Sequence, residues 1–349
     1  MEITQLLNEN ASDLPTFLKS NGVKYRRYSQ EKCYVLKMKN DEDYTEKWHR
    51  HCRGAVYNYE TGRLNVLPPS KSREVSYEYF SSLITDNGTT FTELYDGTMI
   101  NVFYNNDKWN LSSRSTLGCS NRWILTKTYK ELFDETFTLD YERLNKDYSY
   151  SFVLRNKKNR NVSPIGTDEI VLVKIYDPLN NEDVSIDEAC SVPTPRVLSS
   201  PSEMNMMDSS VKGYTVIIDN ERFKCLTPLF KRMRDIKLNL NNKSLLYLEL
   251  QKKGDLKEYL SYFPEDTGCF SETRSFVQNL TNELYDTYYS TYVKKENLFK
   301  DIKYEYKPLI KDIHGIYLRT RKKIRVNHIR DYLLATPSKR LIFVKNFSK

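Results

Sequence analysis

The chain has 349 residues, 39% of them hydrophobic and 29% charged, and a formal net charge of +8. This length carries one large domain or two with ample chain for a core, and the composition excludes a disordered or fibrous protein. No apolar run approaches the roughly 20 residues that cross a bilayer, so no membrane partner is expected.

The N-terminal stretch "MEITQLLNENASDLPTFLK" lacks an apolar core closed by small residues and reads as an amphipathic helix, not a signal peptide. Residues 50 to 120 read as β-structure. "RGAVYNYETGRLNVL" is a strand, a turn at Thr61-Gly62 and a second strand, and "TMINVFYNNDKWNLSS" repeats the arrangement around Asn105-Asn106-Asp107. "TKTYKELFDETF" is a short helix, and "EIVLVKIYD" is a well-buried strand. "SVPTPRVLSSPSEMNMMDSS" is a surface connection, and "GYTVIIDNERFKCL" is a further hairpin. Beyond residue 227 the period changes to 3.6, through "PLFKRMRDIKLNLNNKSLLYLELQKKGDLKEYL" and "SETRSFVQNLTNELYDTYYSTYVKKENLF". The expected architecture is an α+β domain over residues 1–240 followed by a small all-helical basic domain over 241–349.

The charge is segregated. From Lys294 to Lys349 there are 16 Lys and Arg against 5 Asp and Glu, a net of +11, which leaves −3 for residues 1 to 293. The densest part is "RTRKKIRVNHIR", where Arg321, Lys322, Arg325 and Arg330 recur near helical spacing. Such an imbalance points to a polyanion partner, with Arg319, Arg321, Lys322, Lys323, Arg325 and Arg330 as its candidate contacts. The six cysteines are scattered without metal-like or disulfide-like spacing, which fits a reducing compartment, and a cytoplasmic location is expected. His49, His51 and Cys52 stand together in "WHRHCRG", and a strand would put His49 and His51 on one face, but no distant pair completes four ligands, so no metal site is expected there. The 27 tyrosines are read as core or strand-surface residues, although such rings can also stack on bases. Abundant Tyr, Asn, Lys and Ser with scarce Gly and Ala suit an A/T-rich genome, such as that of some viruses or phages; the location would then be the host cytoplasm.

The order of the pieces resembles the ATP-dependent RNA ligases, and within them the bacteriophage T4 RNA ligase 1 group. "CRGAVYNYETGRLNVLPPSK" is similar to that group's upstream segment. "LYDGTMINVFYNNDKWNLSSRSTLG" is similar to its nucleophile motif and following hairpin, and "SFVLRNKKNRNV", "EIVLVKIYD" and "VKGYTVIIDNERFKCL" follow in the family's order. The resemblance covers roughly residues 20 to 230. It implies a nucleotidyltransferase fold, ATP-grasp-like, with antiparallel sheets and flanking helices.

In such ligases a lysine attacks the α-phosphate of ATP, carboxylates hold ribose or a divalent metal, and Lys and Arg orient the leaving phosphates. Carried over to this chain, the resemblance places Arg53, Lys71, Arg114 and Lys224 as phosphate contacts, and Asp96 and Gly97 as the shape of the nucleophile turn. The nucleophile position is Leu94. The two carboxylate positions fall on Val153, with Arg155 close by, and on Lys212, and the second lysine of "Lys-x-Lys" is Leu226. Leucine has no lone pair for phosphorus, and a lysine in place of a carboxylate repels a metal. The resulting expectation is an RNA-binding pseudo-ligase with no catalytic residues, no metal and no required cofactor, ATP being held, if at all, non-covalently. Two alternatives stay open: an active ATP- and Mg2+-dependent ligase of tRNA-like ends with a displaced nucleophile, Lys71 being the first candidate, and a structural or assembly subunit, viral or phage, with protein partners. The RNA partner is expected to be tRNA-like or single-stranded.

Overall fold

The structure is a computed structural model that describes residues 3–40, 44–122, 127–186, 192–238, 240 and 242–347. Thr126 at the head of its helical stretch, and Cys190 and Ser191, therefore lie outside the described residues. The fold is α+β, with antiparallel sheets and helices, and it divides into two compact units, Met1–Arg232 and Met233–Lys349.

The first unit opens with two short helices, α1 (Ile3–Glu9) and α2 (Leu14–Ser20), instead of the single amphipathic helix that the sequence suggests. The break has a local cause. Asp13 turns out of the helix to accept a hydrogen bond from the Thr16 amide at 3.4 Å, and Pro15 sits at the start of α2, where it needs no donor. Both helices bury Leu residues against the first sheet, β1 (Val23–Tyr28), β2 (Cys33–Met38), β3 (Arg53–Asn58) and β4 (Arg63–Val66), paired antiparallel in that order.

Next come β5 (Arg73–Glu74), α3 (Tyr77–Asn87), β6 (Phe91–Leu94), β7 (Thr98–Asn105), β8 (Lys108–Ser113), α4 (Tyr129–Thr136), β9 (Ser149–Arg155), β10 (Glu169–Asp177), β11 (Glu182–Val184), β12 (Val197–Leu198), β13 (Gly213–Ile218) and β14 (Glu221–Leu226). They build two five-stranded sheets, β11-β10-β9-β7-β8 and β12-β6-β13-β14-β5. The turns of both predicted hairpins carry left-handed residues, Asn106 and Asp107 between β7 and β8 and Asp219 and Asn220 between β13 and β14. These are the residue types that tolerate positive φ.

Period-2 alternation gives each of these sheets a greasy face and a polar one. Ile100, Val102, Phe152, Leu154 and Leu172 pack on Leu132 and Phe133 of α4. The alternate positions of the same strands are polar or mixed, and they include Asn101, Ser112, Ser151, Val153 and Arg155. Phe91, Tyr214, Val216, Phe223 and Cys225 pack on Phe80 and Ile84 of α3, while Leu94, Arg222 and Lys224 alternate with them. Helices thus cover one face of each sheet, and the chemistry-bearing residues lie on the other.

The second unit is helical: the end of α5 (Pro228–Lys237), then α6 (Lys243–Lys253), α7 (Leu256–Tyr262), α8 (Thr267–Tyr288), α9 (Lys307–Thr320), α10 (Val326–Ala335) and α11 (Ser338–Phe347). Leu246, Tyr259, Phe270, Leu284, Ile313, Leu333 and Leu341 are buried in it. Asp266 ties three segments by accepting from Lys243 Nζ at 2.7 Å and Tyr259 Oη at 2.5 Å.

Two glycines mark close approaches in the first unit. A Cβ on Gly54, where φ is +99°, would lie 2.9 Å from Arg114 Cα, so Gly54 lets β3 meet the end of β8. A Cβ on Gly97 would lie 2.5 Å from the Leu154 carbonyl oxygen and 2.6 Å from Val153 Cγ1. Gly97→Ala is therefore expected to destabilise the protein by about 2 kcal/mol through overpacking, which lowers Tm by about 4–8 °C. Gly166→Ala, where a Cβ meets nothing within 4 Å, should leave Tm unchanged in the same thermal denaturation experiment.

Candidate functional site

The turn between β6 and β7 is fixed by Asp96, whose side chain is almost completely buried. Its Oδ2 accepts the backbone N–H groups of Val162 at 2.7 Å and Ser163 at 3.1 Å, and its Oδ1 lies 3.3 Å from Lys212 Nζ. One carboxylate thus joins the turn, the loop after β9 and the entry to β13. Lys212 Nζ also sits 5.4 Å from the Phe230 ring.

Leu94 closes β6 opposite Gly213 of β13. It lines a cavity of about 220 Å3 with Glu93, Tyr95, Arg155, Glu169, Asp208, Ser210 and Val211. No lysine is among these residues, and three carboxylates face one guanidinium. Arg155 is already engaged: its Nη1 meets Glu169 Oε1 at 2.5 Å, its Nη2 donates to the Pro164 carbonyl, and its guanidinium lies over Tyr95. Val153 stands between Met99 and Val171 in the sheet with its methyl group against Gly97. Leu226 is buried beside Gly213.

The cations gather on the polar faces. Lys224 pairs with Glu74 at 3.3 Å, yet burial lowers its pKa, with Glu74 opposing and Lys212 and Arg53 reinforcing the shift. Burial, reinforced by Arg53, brings Arg222 down to about 10. Its Nη1 reaches the Ser70 carbonyl at 3.4 Å. Lys174 on β10 is lowered by burial and by Arg222, against the pull of Asp183 at 2.7 Å. Arg53, Lys174, Lys212, Arg222 and Lys224 therefore share one electrostatic neighbourhood, and the close approach at Gly54 puts the Arg114 backbone beside Arg53. Lys71 adjoins Ser70, but its Nζ lies 3.8 Å from the Tyr44 ring.

Arg222 and Lys174 escaped the sequence reading. Arg222 is two residues before Lys224 on the same strand, so period-2 alternation alone would have placed it on the same face. Lys174 had no such signal. A β-bulge between Leu172 and Lys174 shifts the register of β10, so that Lys174 leaves the apolar face that Leu172 occupies.

His49 and His51 do not share a strand face; both fall in a 3-10 turn, Lys47–His51. His49 Nδ1 accepts the Glu46 amide at 3.3 Å, and Cys52 is buried. His51 is lowered to about 4 by burial, with Lys174 reinforcing, which keeps it neutral. Among the described residues no group of three or more His, Cys, Asp or Glu is placed to hold a metal ion. The donor chemistry of the turn does not fit one either, because Val153 and Lys212 stand at the positions where the resemblance implies carboxylates.

In the helical unit, Arg319, Arg321, Lys322, Lys323, Arg325 and Arg330 are all exposed. They do not form one helical stripe. Helix α9 ends at Thr320, Arg321 takes a left-handed conformation at φ +55°, and residues 321–325 run as a loop to α10. Adjacent like charges and the left-handed cap end the helix, and buried Ile324 pins the loop to the core. No helix of the described residues is long and apolar enough to cross a membrane.

No protein-family model matches the chain, and no curated protein matches it. Among solved structures it is similar to a protein provisionally assigned as an ATP-dependent DNA ligase from Aquifex aeolicus, at 16% identity and TM-score 0.47, over 82% of this chain and 79% of that one. It is also similar to a mutant of an RNA ligase from Naegleria gruberi, at 15% identity and TM-score 0.35, over 48% of this chain and 58% of that one. A second Naegleria gruberi structure, the RNA ligase with PPi, gives 14% identity and TM-score 0.33 over the same shares.

A buried cation whose neighbours are also cations costs stability until an anion arrives. Arg222→Met is expected to stabilise the anion-free protein by about 1 kcal/mol; the unmodified chain is expected to gain Tm on adding tripolyphosphate and the variant to gain less. Thermal denaturation with and without tripolyphosphate reads both effects.

Proposed function

We propose that this chain is a catalytically silent protein with an RNA-ligase-like nucleotidyltransferase fold that binds RNA without joining it. The observation that carries this reading is the Lys212–Asp96 contact of 3.3 Å. Where an active site of this kind needs a carboxylate facing a metal, an ammonium instead takes up the carboxylate of the turn. The sheet faces around Lys212 are left rich in cations, so a phosphate ligand there would be held by direct charge–charge contact. ATP, where it binds, would do so with little dependence on Mg2+.

An active ligase with a displaced nucleophile needs a lysine near the α-phosphate with a free lone pair. The lysines of this neighbourhood each have a partner: Lys71 the Tyr44 ring, Lys174 Asp183, Lys212 Asp96, and Lys224 Glu74. None lines the cavity at Leu94. These engagements favour the silent reading.

The expected outcome with α-labelled ATP and Mg2+ or Mn2+ is an unlabelled protein. Leu94→Lys alone should not seal RNA, because Val153 and Lys212 still withhold the metal and ribose contacts. An acid-stable label on any lysine of the unmodified chain, Lys71 being the first to map, would overturn the proposal.

RNA binding is assigned to the helical unit from its charge and from the exposure of its six candidate contacts. Removing residues 294–349 would strip Ile310, Ile313, Ile329, Leu333 and Leu341 from a buried core, so substitution is the better probe. Changing Arg321, Lys322, Lys323 and Arg325 together to Gln should weaken binding to a tRNA-sized RNA. The slope of log affinity against log salt should become shallower by up to about 0.7 for each phosphate that the variant no longer neutralises. An unchanged slope would place the RNA elsewhere.

A further inference from the structure

The helical unit carries an aromatic ladder that the basic loop does not account for. Tyr285, Tyr288, Tyr289 and Tyr292 recur three and four residues apart across the end of α8 and the π-helical turn Tyr289–Val293, and so share one face. Tyr285 and Tyr289 stack with centroids 6.0 Å apart and planes 19° apart, and Tyr288 and Tyr292 stack at 5.4 Å and 30°. His314 of α9 extends the second pair, 3.8 Å from Tyr292 at 14°, and Tyr317 follows at 5.9 Å and 26°. Tyr288, Tyr292, His314 and Tyr317 thus form one near-parallel series drawn from two helices. Tyr288 is buried at its base, while Tyr285, Tyr289, Tyr292, His314 and Tyr317 keep part of their surface in solvent.

His314 Nδ1 is buried without a hydrogen-bond partner, an arrangement that costs stability. The surroundings are also unlike a sealed core. Val293 and Leu318, the residues after Tyr292 and Tyr317, are 51% and 50% exposed. Cations flank the rings: Lys294 Nζ lies 5.8 Å from the Tyr289 ring, and Lys311 projects one turn before His314. Rings with open surface and ammonium groups around them match alternating bases and phosphates of one strand, and the segment from Lys294 onward carries +11.

We propose that this ladder, entered at its end ring Tyr317 and held in place by Tyr292 and His314, is a base-stacking platform for single-stranded RNA, with Lys294 and Lys311 on the adjacent phosphates. It rests on the RNA-binding reading above and adds to it a preference for unpaired bases. A duplex keeps its base faces inside the helix and presents only phosphate to this surface.

The test compares three labelled ligands of about 12 nucleotides by fluorescence anisotropy with the full chain: a single-stranded oligoribonucleotide, its abasic counterpart of equal charge, and a duplex. The base-bearing strand is expected to bind about tenfold or more tighter than the abasic one, and Tyr292→Ala with Tyr317→Ala should erase that gap while leaving abasic binding and its salt slope in place. On the unmodified chain, photo-crosslinking with 5-iodouridine should map to Tyr289, Tyr292 or Tyr317, which keeps the test decisive if the alanine variant misfolds. Equal affinity for base-bearing and abasic strands, or crosslinks that map away from the ladder, would overturn the platform while leaving RNA binding intact. Failure to bind any of the three would overturn the RNA reading itself.

Discussion

The buried carboxylate of Asp96 holds the candidate site together. It receives two backbone amides from the Val162–Ser163 loop and the ammonium of Lys212, so three segments distant in sequence converge on one side chain. Hydrogen bonds to an ionised acceptor are stronger than neutral ones, and a buried carboxylate without them would be costly. The position of Leu94 follows from this convergence, because β6 ends immediately before the Tyr95-Asp96 turn and pairs there with Gly213, the neighbour of Lys212. Gly97 completes the constraint from the other side, with no room for a Cβ against β9. A lysine at 212 therefore changes more than one interaction. It supplies the counter-charge of the turn from within the protein, where an acidic residue would have added a second negative charge in need of a cation.

The consequence reaches across both polar sheet faces. With Lys212 occupied by Asp96, the remaining carboxylates near the cluster, Glu74 and Asp183, answer Lys224 and Lys174. Arg222 donates to a backbone carbonyl, and burial together with Arg53 depresses its pKa. The cavity at Leu94, with Glu93, Glu169 and Asp208 on its walls, is electrostatically the opposite of this cluster. The cation cluster and the Leu94 cavity thus differ in sign, a difference that accords with the silent ligase-like protein proposed above.

Much of this was legible in the sequence because the strands obey a simple period. Alternation and left-handed turn residues located the hairpins of β3–β4, β7–β8 and β13–β14, and the change of period near residue 227 located the onset of helices. Apart from Arg222, which alternation alone places on the face of Lys224, the misses depend on local irregularities. A single bulge in β10 moves Lys174 to the polar face, and the cap at Asp13 splits the first helix in two. One left-handed residue, Arg321, turns a predicted helical stripe into a loop, and His49 and His51 lie in a 3-10 turn where a strand would have aligned them. Periodicity averages over such events, so it finds elements well and single side chains poorly. The 27 tyrosines illustrate the same limit, since nothing in their spacing separated the core ring of Tyr259 from the half-open ring of Tyr292.

The helical unit shows why charge alone is an incomplete description of an RNA surface. In the reading proposed above, exposed cations such as Lys322 and Lys323 supply salt-dependent contacts to phosphates, which position a strand without reading its bases. Discrimination needs a group that reads what only an unpaired strand exposes, and base faces are the obvious candidate. Aromatic rings supply this with little entropy to lose, having few rotatable bonds, and rings already stacked on one another have lost part of that freedom before the ligand arrives. The π-helical turn contributes by holding Lys294 near the Tyr289 ring, its amide bonded to the Tyr289 carbonyl at 2.9 Å. In this way a local irregularity of α8 joins the charged and aromatic parts of the surface. The proposed preference for unpaired bases belongs to α8 and α9, and the proposed salt-dependent attraction belongs to the basic loop.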